Sequence, residues 1–345
     1  MKHQDYQRGF TLIELLVSMV MALVIMGGVV SIYISSNDSY RRLQGLAEVQ
    51  SNGRFLMGFL QNEIESAGYM GCQSSSGQLN NDLASTSYPY NFAQSIFGSE
   101  STGAGAWTPA LDGSLLSPLS GNDSITVRGA VDVGLTLTAA MTSRSDNVTV
   151  SNNNTLHSGD ILMISDCSGF SDVFQISGVT ASGSDSLFAH AASAGAPGNT
   201  TASFFKSYGA NASVVPVATT GIYLRQNPNG INSLYVVQPS ISNSTNSVEM
   251  VQGVDGLQIL YGVAASAISP SVVRYVTAKE VNNNNWWNLV MSVRIEALVS
   301  TANPVKVKDG KIYNLLGVTY GPFNDQRLRR KFSTTITLRN RYLRQ

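Results

Sequence analysis

Charged side chains are scarce in this chain of 345 residues, where Asp, Glu, Lys and Arg together make up 13%. That is about half the fraction usual for a soluble domain. Basic and acidic residues are equal in number, 22 of each, so the net charge favours neither a nucleic acid nor an acidic substrate as a partner. Ser, Thr, Asn and Gly supply the polarity instead, as in many β-rich proteins that work outside the cell.

Histidine and cysteine are also few, with three and two residues. His157 and His190 have no Cys, Asp or Glu neighbours at metal-ligand spacing, and His3 lies in the polar N-terminal stretch. No glycine pattern follows a strand and opens a helix, as phosphate binding would require, and no serine motif is followed by a plausible base. We therefore predict no enzymatic activity, no metal and no cofactor.

A long apolar segment near the N-terminus is the most informative feature. From Phe10 to Ile34 run 25 residues that are almost all apolar, with Glu14 as the only charge. As a helix they would measure roughly 37 Å, enough to cross a bilayer core of about 30 Å. The segment is longer than the apolar part of an ordinary secretory signal, and no A-x-A-like cleavage site closes it. Lys2 and Arg8 favour a cytoplasmic N-terminus, so we predict a membrane-spanning helix over residues 10–34 with the remainder on the far side.

The residues at the start of this segment form a specific motif, Arg8-Gly9-Phe10-Thr11-Leu12-Ile13-Glu14-Leu15-Leu16-Val17. The motif resembles the class III signal of type IV prepilins and of type II secretion pseudopilins. The resemblance implies that a prepilin peptidase cleaves after Gly9 and removes residues 1–9 as a leader peptide. It also implies that the new N-terminal residue, Phe10, is N-methylated.

Glu14 is notable because it is a charged residue within an apolar segment that is predicted to span the membrane. A carboxylate inside a membrane helix costs roughly 2.5–3.5 kcal/mol, so such a residue usually has a partner and a function. The resemblance implies that Glu14 pairs with the terminal amine of a neighbouring subunit and so sets the register of assembly. The alternative is an interfacial glutamate that only extends to the lipid headgroups.

The helical pattern continues beyond the membrane segment. Apolar or small residues recur at steps of three or four, which is typical of an amphipathic helix: Leu43, Leu46, Val49, Gly53, Leu56, Leu60, Ile64 and Ala67. We predict one helix from Phe10 to about Ala67, with an amphipathic part in residues 35–71. Gly68, Gly71 and Cys72 mark its end.

Short stretches at both ends of the soluble part resemble one group of type IV pilus minor pilins, the PilW family. They are Asn52-Gly53-Arg54-Phe55-Leu56 with Ala67-Gly68-Tyr69, Val254-Asp255-Gly256-Leu257-Gln258-Ile259, and Thr335-Ile336-Thr337-Leu338-Arg339-Asn340-Arg341. The resemblance implies an α+β fold in which a long N-terminal pilin helix, first transmembrane and then amphipathic, packs on a β-rich antiparallel head.

The pattern of residues 72–345 changes from helical to β. Two pairs of apolar runs flank turns, at Ser168-Gly169 and at Asn227-Pro228-Asn229-Gly230, and therefore predict hairpins. Alternating side chains predict half-buried strands at Met291–Val299 and Phe332–Leu338. Residues 73–220 predict an irregular insertion, and its first part, up to about Ser120, predicts a long surface region.

The two cysteines, Cys72 and Cys167, both lie beyond the membrane segment, where an oxidising periplasm permits a disulfide. Such a bond would join the end of the helix to the start of a β-turn. Closing a loop of about 96 residues is worth roughly 4–5 kcal/mol by chain entropy. Two buried free thiols are the alternative.

The expected function is that of a minor pilin that helps to prime or cap a retractable filament, of the kind used in adhesion and twitching motility. The implied partners are other minor pilins, the major pilin, a tip adhesin, prepilin peptidase and the inner membrane. A type II secretion pseudopilin is one alternative. A DNA-uptake pilin that uses the basic C-terminus is another, and nucleic acid is the less favoured partner because only Phe332 and Tyr342 interleave the basic residues. We interpret the pair Trp286-Trp287 mainly as core packing. The basic residues we interpret mainly as charges on an edge strand; they are Arg327, Arg329, Arg330, Lys331, Arg339, Arg341 and Arg344.

Overall fold

The computed structural model describes residues 11–69, 71, 78–103, 105–130, 134–166, 168–195, 197–239, 247–266, 269–306 and 310–341. The described residues form two α-helices, α1 (Leu12–Glu65) and α2 (Ala278–Asn283), and nineteen strands. The strands are β1 (Gln78–Asn81), β2 (Ile96–Gly103), β3 (Ala106–Thr108), β4 (Ser124–Ala130), β5 (Leu135–Thr136), β6 (Val148–Ser151), β7 (Ile161–Ser165), β8 (Phe170–Gln175), β9 (Gly178–Ser182), β10 (Asp185–Ala189), β11 (Ser213–Gln226), β12 (Asn232–Val237), β13 (Val248–Gln252), β14 (Val254–Ser266), β15 (Ser269–Val276), β16 (Val290–Ser300), β17 (Tyr313–Leu315), β18 (Val318–Tyr320) and β19 (Arg329–Thr337). We call the residues after α1 the head.

The first helix contains 54 residues without a break, about 80 Å at 1.5 Å per residue. It begins two residues after the predicted start and ends two residues before the predicted end. Gly68 adopts a positive φ of 72° just beyond the helix, a backbone conformation that glycine reaches without a steric penalty. The predicted long helix with a glycine-marked end is confirmed.

A four-stranded antiparallel sheet lies under the last third of α1. Its strand order is β15-β14-β16-β19, and α1 packs against β19 and β16. One face of this sheet, the buried side of α1 and part of the neighbouring sheet share one hydrophobic core. The predicted arrangement of a helix on antiparallel sheet is confirmed.

The second sheet is larger and is organised around the long strand β11. One half of β11 pairs with β7 and the other half with β4 and β12. The order along the main path is β1-β8-β7-β11-β4-β2-β3. The predicted hairpins correspond to β7–β8 and to β11–β12, both antiparallel. A separate three-stranded sheet, β6-β10-β9, closes a second core on the side of the insertion.

The prediction of an irregular insertion is wrong for the described residues. Ten strands and the start of an eleventh lie between residues 78 and 220, and Leu83, Phe92 and Ile96 in the predicted surface region are buried. The reason is compositional. Several of these strands are built from Ser, Thr, Gly and Asn, for example the QLNN of β1 and the GVTAS of β9, so they lack the apolar alternation by which strands are recognised.

The strand predicted at Met291–Val299 exists as β16, but more of it is buried than a half-buried strand implies. Ser292, on the face away from α1, is only 3% exposed and Leu298 is 0% exposed. The hairpin β17–β18 lies over the Leu298 end of this face, where a Cβ added to Gly256 would meet the Tyr320 ring at 2.9 Å. At the other end, Tyr275 of β15 covers Ser292, and the two hydroxyl groups are 3.2 Å apart. A sequence pattern along one strand cannot reveal a cover that comes from a distant hairpin.

Candidate assembly site on the N-terminal helix

The first turn of α1 carries a capping box. The Thr11 hydroxyl accepts a hydrogen bond from the Glu14 backbone N–H at 3.4 Å. In return, the Glu14 carboxylate accepts from the Thr11 N–H at 3.0 Å and from its hydroxyl at 2.9 Å. This reciprocal arrangement satisfies donors at a helix N-terminus that otherwise have no partner. Glu14 is thereby held beside the residue that follows Phe10, while Gly9 and Phe10 lie outside the described residues.

The first part of α1, more than a third of its length, is exposed. Residues 11–36 are exposed in the isolated chain, and they include the most apolar part of the described sequence. Among the described residues, α1 is the one helix long and apolar enough to cross a membrane. Apolar side chains point outward all round the helix in this part, so this segment is suited to an apolar environment and not to water.

The head covers the helix from Gly45 onward. Four aliphatic side chains on one face, Val49, Leu56, Leu60 and Ile64, are fully buried. Each such side chain contributes about 1.5–3 kcal/mol relative to exposure. From Val49 onward this is the face predicted from the periodicity, but Leu43, predicted on the same face, is 67% exposed. We call the buried face of α1 from Gly45 to Ile64, together with the residues that it packs on, the seat.

Two glycines allow α1 to approach the head closely. A Cβ on Gly53 would overlap the ring of Phe332 in β19, and one on Gly45 would meet Thr301 and Val305 at 3.0 Å. Gly58, on the opposite side of the same helix, has nothing within 4 Å of the corresponding position. The absence of a side chain at Gly53 is therefore a requirement of packing against β19.

The loop after β16 contacts α1 close to the predicted membrane surface. The Ala302 N–H donates to the Glu48 carboxylate at 2.9 Å, and the Lys306 ammonium lies 3.0 Å from the Asp38 carboxylate. Both contacts join residues more than 250 positions apart in the chain. They attach α1 to the head on the N-terminal side of Val49, although the exposed ion pair itself contributes at most about 1 kcal/mol.

The C-terminus of the chain closes the other end of the seat. The Asn340 amide donates to the carbonyl oxygens of Glu65, Ser66 and Ala67, at 3.4, 3.4 and 3.1 Å. Arg339 forms an ion pair with Glu65 at 2.8 Å. The last carbonyls of a helix have no partner within it, and here residues from the far end of the sequence supply one. Sequence reasoning counted Arg339 among the basic residues of the C-terminus and included Asn340 only as part of a resemblance.

A polar seam attaches the insertion to the sheet beneath α1. The Asn122 side chain accepts from the Leu257 N–H, and the Asp123 carboxylate accepts from the Ile259 N–H, both at 2.9 Å. Burial raises the pKa of Asp123 to about 7. Both partners in β14 are backbone N–H groups, so this attachment does not depend on the identity of the side chains of β14.

The buried charges of the C-terminal region were not foreseen. Arg329, one of the basic residues that we interpreted as charges on an edge strand, has a side chain only 1% exposed. It bonds Asp255 at 2.8 Å and forms two bonds with Asp325, at 2.7 and 2.5 Å. Lys331 is likewise paired, with Glu296 at 3.1 Å. The cluster is thus partly neutralised within the chain, which weakens the argument for a DNA-binding surface, although β19 is an edge strand as predicted.

Other candidates for chemistry have ordinary structural roles. His190 is buried and stacked on Phe204, with ring centroids 3.9 Å apart, and burial lowers its pKa. Trp287 is buried against Phe97 and Tyr261, which supports the interpretation as core packing. No group of three metal-ligating side chains occurs among the described residues. Cys72 and Cys167 lie outside them, so the disulfide stays a prediction.

Known proteins share both regions that the sequence singled out. Residues 222–340 match the family model for type IV pilus-assembly protein W, and residues 5–30 match that for the prokaryotic N-terminal methylation motif. No curated protein sequence matches the chain. A solved type IV-like pilin from Thermus thermophilus is similar over 86% of this chain and 96% of its own, at 12% identity and a TM-score of 0.30. The predicted resemblance is confirmed over these two regions, to the prepilin methylation motif at residues 5–30 and to the PilW family at residues 222–340.

Proposed function

We propose that this chain is a minor pilin, a membrane-anchored subunit that primes or caps a type IV pilus. One observation carries the proposal. Among the described residues, the head buries side chains of α1 only from Gly45 onward, while residues 11–36 remain exposed with apolar side chains on every side. Such a helix needs a cover that the described part of the chain does not supply. We infer that the inner membrane covers it before assembly and the helices of other pilins cover it afterwards.

The same proposal includes processing of the N-terminus. Cleavage after Gly9 would remove the polar leader, residues 1–9, and leave an amine on Phe10, which is then methylated. The support is the match of residues 5–30 to the methylation motif. The head would lie in the periplasm and later at the cell surface, in contact with major and minor pilins and a tip adhesin.

Glu14 is assigned the register-setting contact. Both bonds from Thr11 go to its Oε2 atom, which leaves Oε1 for a partner outside the described residues. The amine of a neighbouring subunit is a partner of the right charge, because an ion pair removes the cost of a lone carboxylate in lipid.

Two substitutions separate this role from helix capping. Glu14→Gln keeps a side-chain oxygen for the capping box but removes the charge, and Glu14→Ala removes both. If the ion pair matters, both variants reach the membrane at normal levels with a folded head and are depleted from sheared filaments. If Gln behaves as wild type and only Ala is depleted, capping is the role. Wild-type incorporation of Glu14→Ala would leave the residue without an assembly role.

We further propose the disulfide between Cys72 and Cys167. A Cβ on Gly71 would lie 2.9 Å from the Ser213 hydroxyl, and Ser213 is the register partner of Ser165 in β7. Gly71, which precedes Cys72, and Ser165, two residues before Cys167, therefore lie within about two strand spacings of 4.8 Å, and a disulfide needs Cα atoms about 4.4–6.8 Å apart. Non-reducing peptide mapping of periplasm-derived protein tests the bond, and two free thiols would refute it.

The size of the head favours a place at the filament end. Most of the 345 residues lie beyond α1, and side-by-side helical packing of many such heads would crowd them. A subunit at an end needs neighbours on one side only. Deletion of the gene should therefore sharply reduce surface filaments while the major pilin accumulates in the inner membrane. Normal piliation in the deletion strain would remove the priming role.

A further inference from the structure

Two carboxyl groups are buried together where the chain enters the insertion. Strand β1 pairs in parallel with β8, which places Asn80 opposite Asp172, and Asp82 follows directly after β1. Asp82 is 5% exposed and Asp172 is 0% exposed. The Asn80 amide nitrogen donates to both, at 2.8 Å to Asp82 Oδ1 and 2.7 Å to Asp172 Oδ1.

Hydrogen-bond donors surround Asp172 in particular. Besides Asn80, the Phe205 N–H donates to its Oδ1 at 2.9 Å, and the Tyr208 hydroxyl donates to its Oδ2. Asp82 Oδ2 is buried and has no hydrogen-bond partner among the described residues. The two carboxyl groups are, however, within hydrogen-bonding reach of each other. A proton on Asp82 would give this oxygen a bond and remove the repulsion between two buried negative charges.

The charged groups around the pair do not compensate for it. Lys206 lies near, 5.5 Å from the centre of the Tyr208 ring, but its ammonium is bonded to Asp166 at 2.5 Å. Burial lowers the pKa of His190 and favours its neutral form, and the negative charge of Asp172 opposes this effect only in part. Donors of N–H and O–H type dominate the surroundings, which suits carboxylates that share a proton and does not suit a bound cation.

We propose that Asp82 and Asp172 share one proton, and that the pairing of β1 with β8 weakens as the pH rises towards neutrality. Burial, and after it the charge of Asp172, raises the pKa of Asp82 to about 7, whereas an aspartate in an unfolded chain titrates near 4. Between about pH 4 and pH 7 the folded head therefore binds the proton more tightly than the unfolded chain. Stability from this pair is complete below that window, falls as the pH rises through it, and stays low above it.

The expected loss of strand pairing is local, because β1, the first strand after α1, lies at the edge of its sheet beside β8. The Gln78 N–H donates to Gly169 at 2.8 Å and the Asp82 N–H donates to Val173 at 2.9 Å, so β1 joins the end of the helix to the hairpin β7–β8. Loosening it would free this edge of the insertion while α1 stays seated on β16 and β19. The pair thus couples external pH to the attachment of the insertion.

Hydrogen exchange of the full mature chain in detergent micelles tests the proposal, at pH 5 and pH 8, with rates corrected for intrinsic exchange. In the wild type we expect the opening equilibrium of the β1 and β8 amides to rise at least tenfold from pH 5 to pH 8. In Asp82→Asn the equilibrium should be independent of pH, because the Asn amide donates to Asp172 without titrating. The amides of β2 and β14 near Asp123 are a necessary comparison, since that buried carboxyl also has a raised pKa.

Two results would overturn the proposal. One is a wild-type opening equilibrium of β1 and β8 that is the same at both pH values. The other is an equal rise in the wild type and in Asp82→Asn, which would assign the effect to another group. If Asp82→Asn does not fold, the wild-type measurement alone still decides against the proposal when the opening equilibrium of β1 and β8 shows no change between the two pH values.

Discussion

Close contact between α1 and β19 makes Gly53 a position where one methyl group should change the stability of the head. An alanine there would place its Cβ inside the ring of Phe332, so the ring must move and lose its packing. Insertion of a methyl group into a packed site costs typically 1–3 kcal/mol. The substitution also removes a helix-interior glycine, which by itself stabilises by about 1 kcal/mol.

Gly58→Ala is the matched control, because its Cβ position has nothing within 4 Å. It carries the same gain in helix propensity without the overlap. We therefore expect Gly58→Ala to raise the free energy of unfolding by about 1 kcal/mol. Gly53→Ala should fall below Gly58→Ala by the steric cost alone, about 1–3 kcal/mol.

Urea unfolding of the head in the detergent-solubilised chain, followed by tryptophan fluorescence, measures both variants. Combining each with Phe332→Ala completes the test, because removal of the ring should abolish the difference between the two positions. Equal stability of Gly53→Ala and Gly58→Ala in the presence of Phe332 would show that α1 is not seated on β19 as described.

Three further perturbations examine the seat and its supports. Asn340→Ala should lower the unfolding free energy by about 0.5–2 kcal/mol, because carbonyls at the end of α1 lose their partner; the same urea experiment measures it, and no change would mean that water replaces the amide. Asp255→Ala should cost about 3 kcal/mol or more, since Arg329 is left buried with only one carboxylate; a loss within experimental error would contradict its burial. Hydrogen bonds from Arg329 lower the pKa of Asp325. The stability from this pair is therefore present above about pH 4 and is lost as the pH falls through the lowered pKa. Asp325→Asn should make the free energy of unfolding less dependent on pH in this acid range.

The parts of the fold that sequence alone predicts are those determined by local periodicity. The buried face from Val49 to Ile64 repeats every three or four residues, and the hairpin β11–β12 has an Asn-Gly turn, so both are visible in a short window. Apart from the hairpin β7–β8, the strands of the insertion were missed because several of them, such as β1 and β9, are polar and are held by pairing with other strands.

The site divides in the same way. The resemblance to prepilins singles out Glu14, and the capping box with Thr11 is a local pattern. Asn340, which caps a helix more than 270 residues away, and Arg329, buried by two acids, depend on contacts that no local pattern contains. From sequence alone, an arginine in a run of basic residues is expected at the surface, because its acidic partners are not known.

Intact-mass spectrometry of sheared filaments, with quantification against the major pilin, tests the central claim most directly. The account predicts that this chain is present in the filament fraction, begins at an N-methylated Phe10, and is far less abundant than the major subunit. A chain that still begins at Met1, or one that is absent from the filaments while they form normally, would contradict the assignment as a minor pilin.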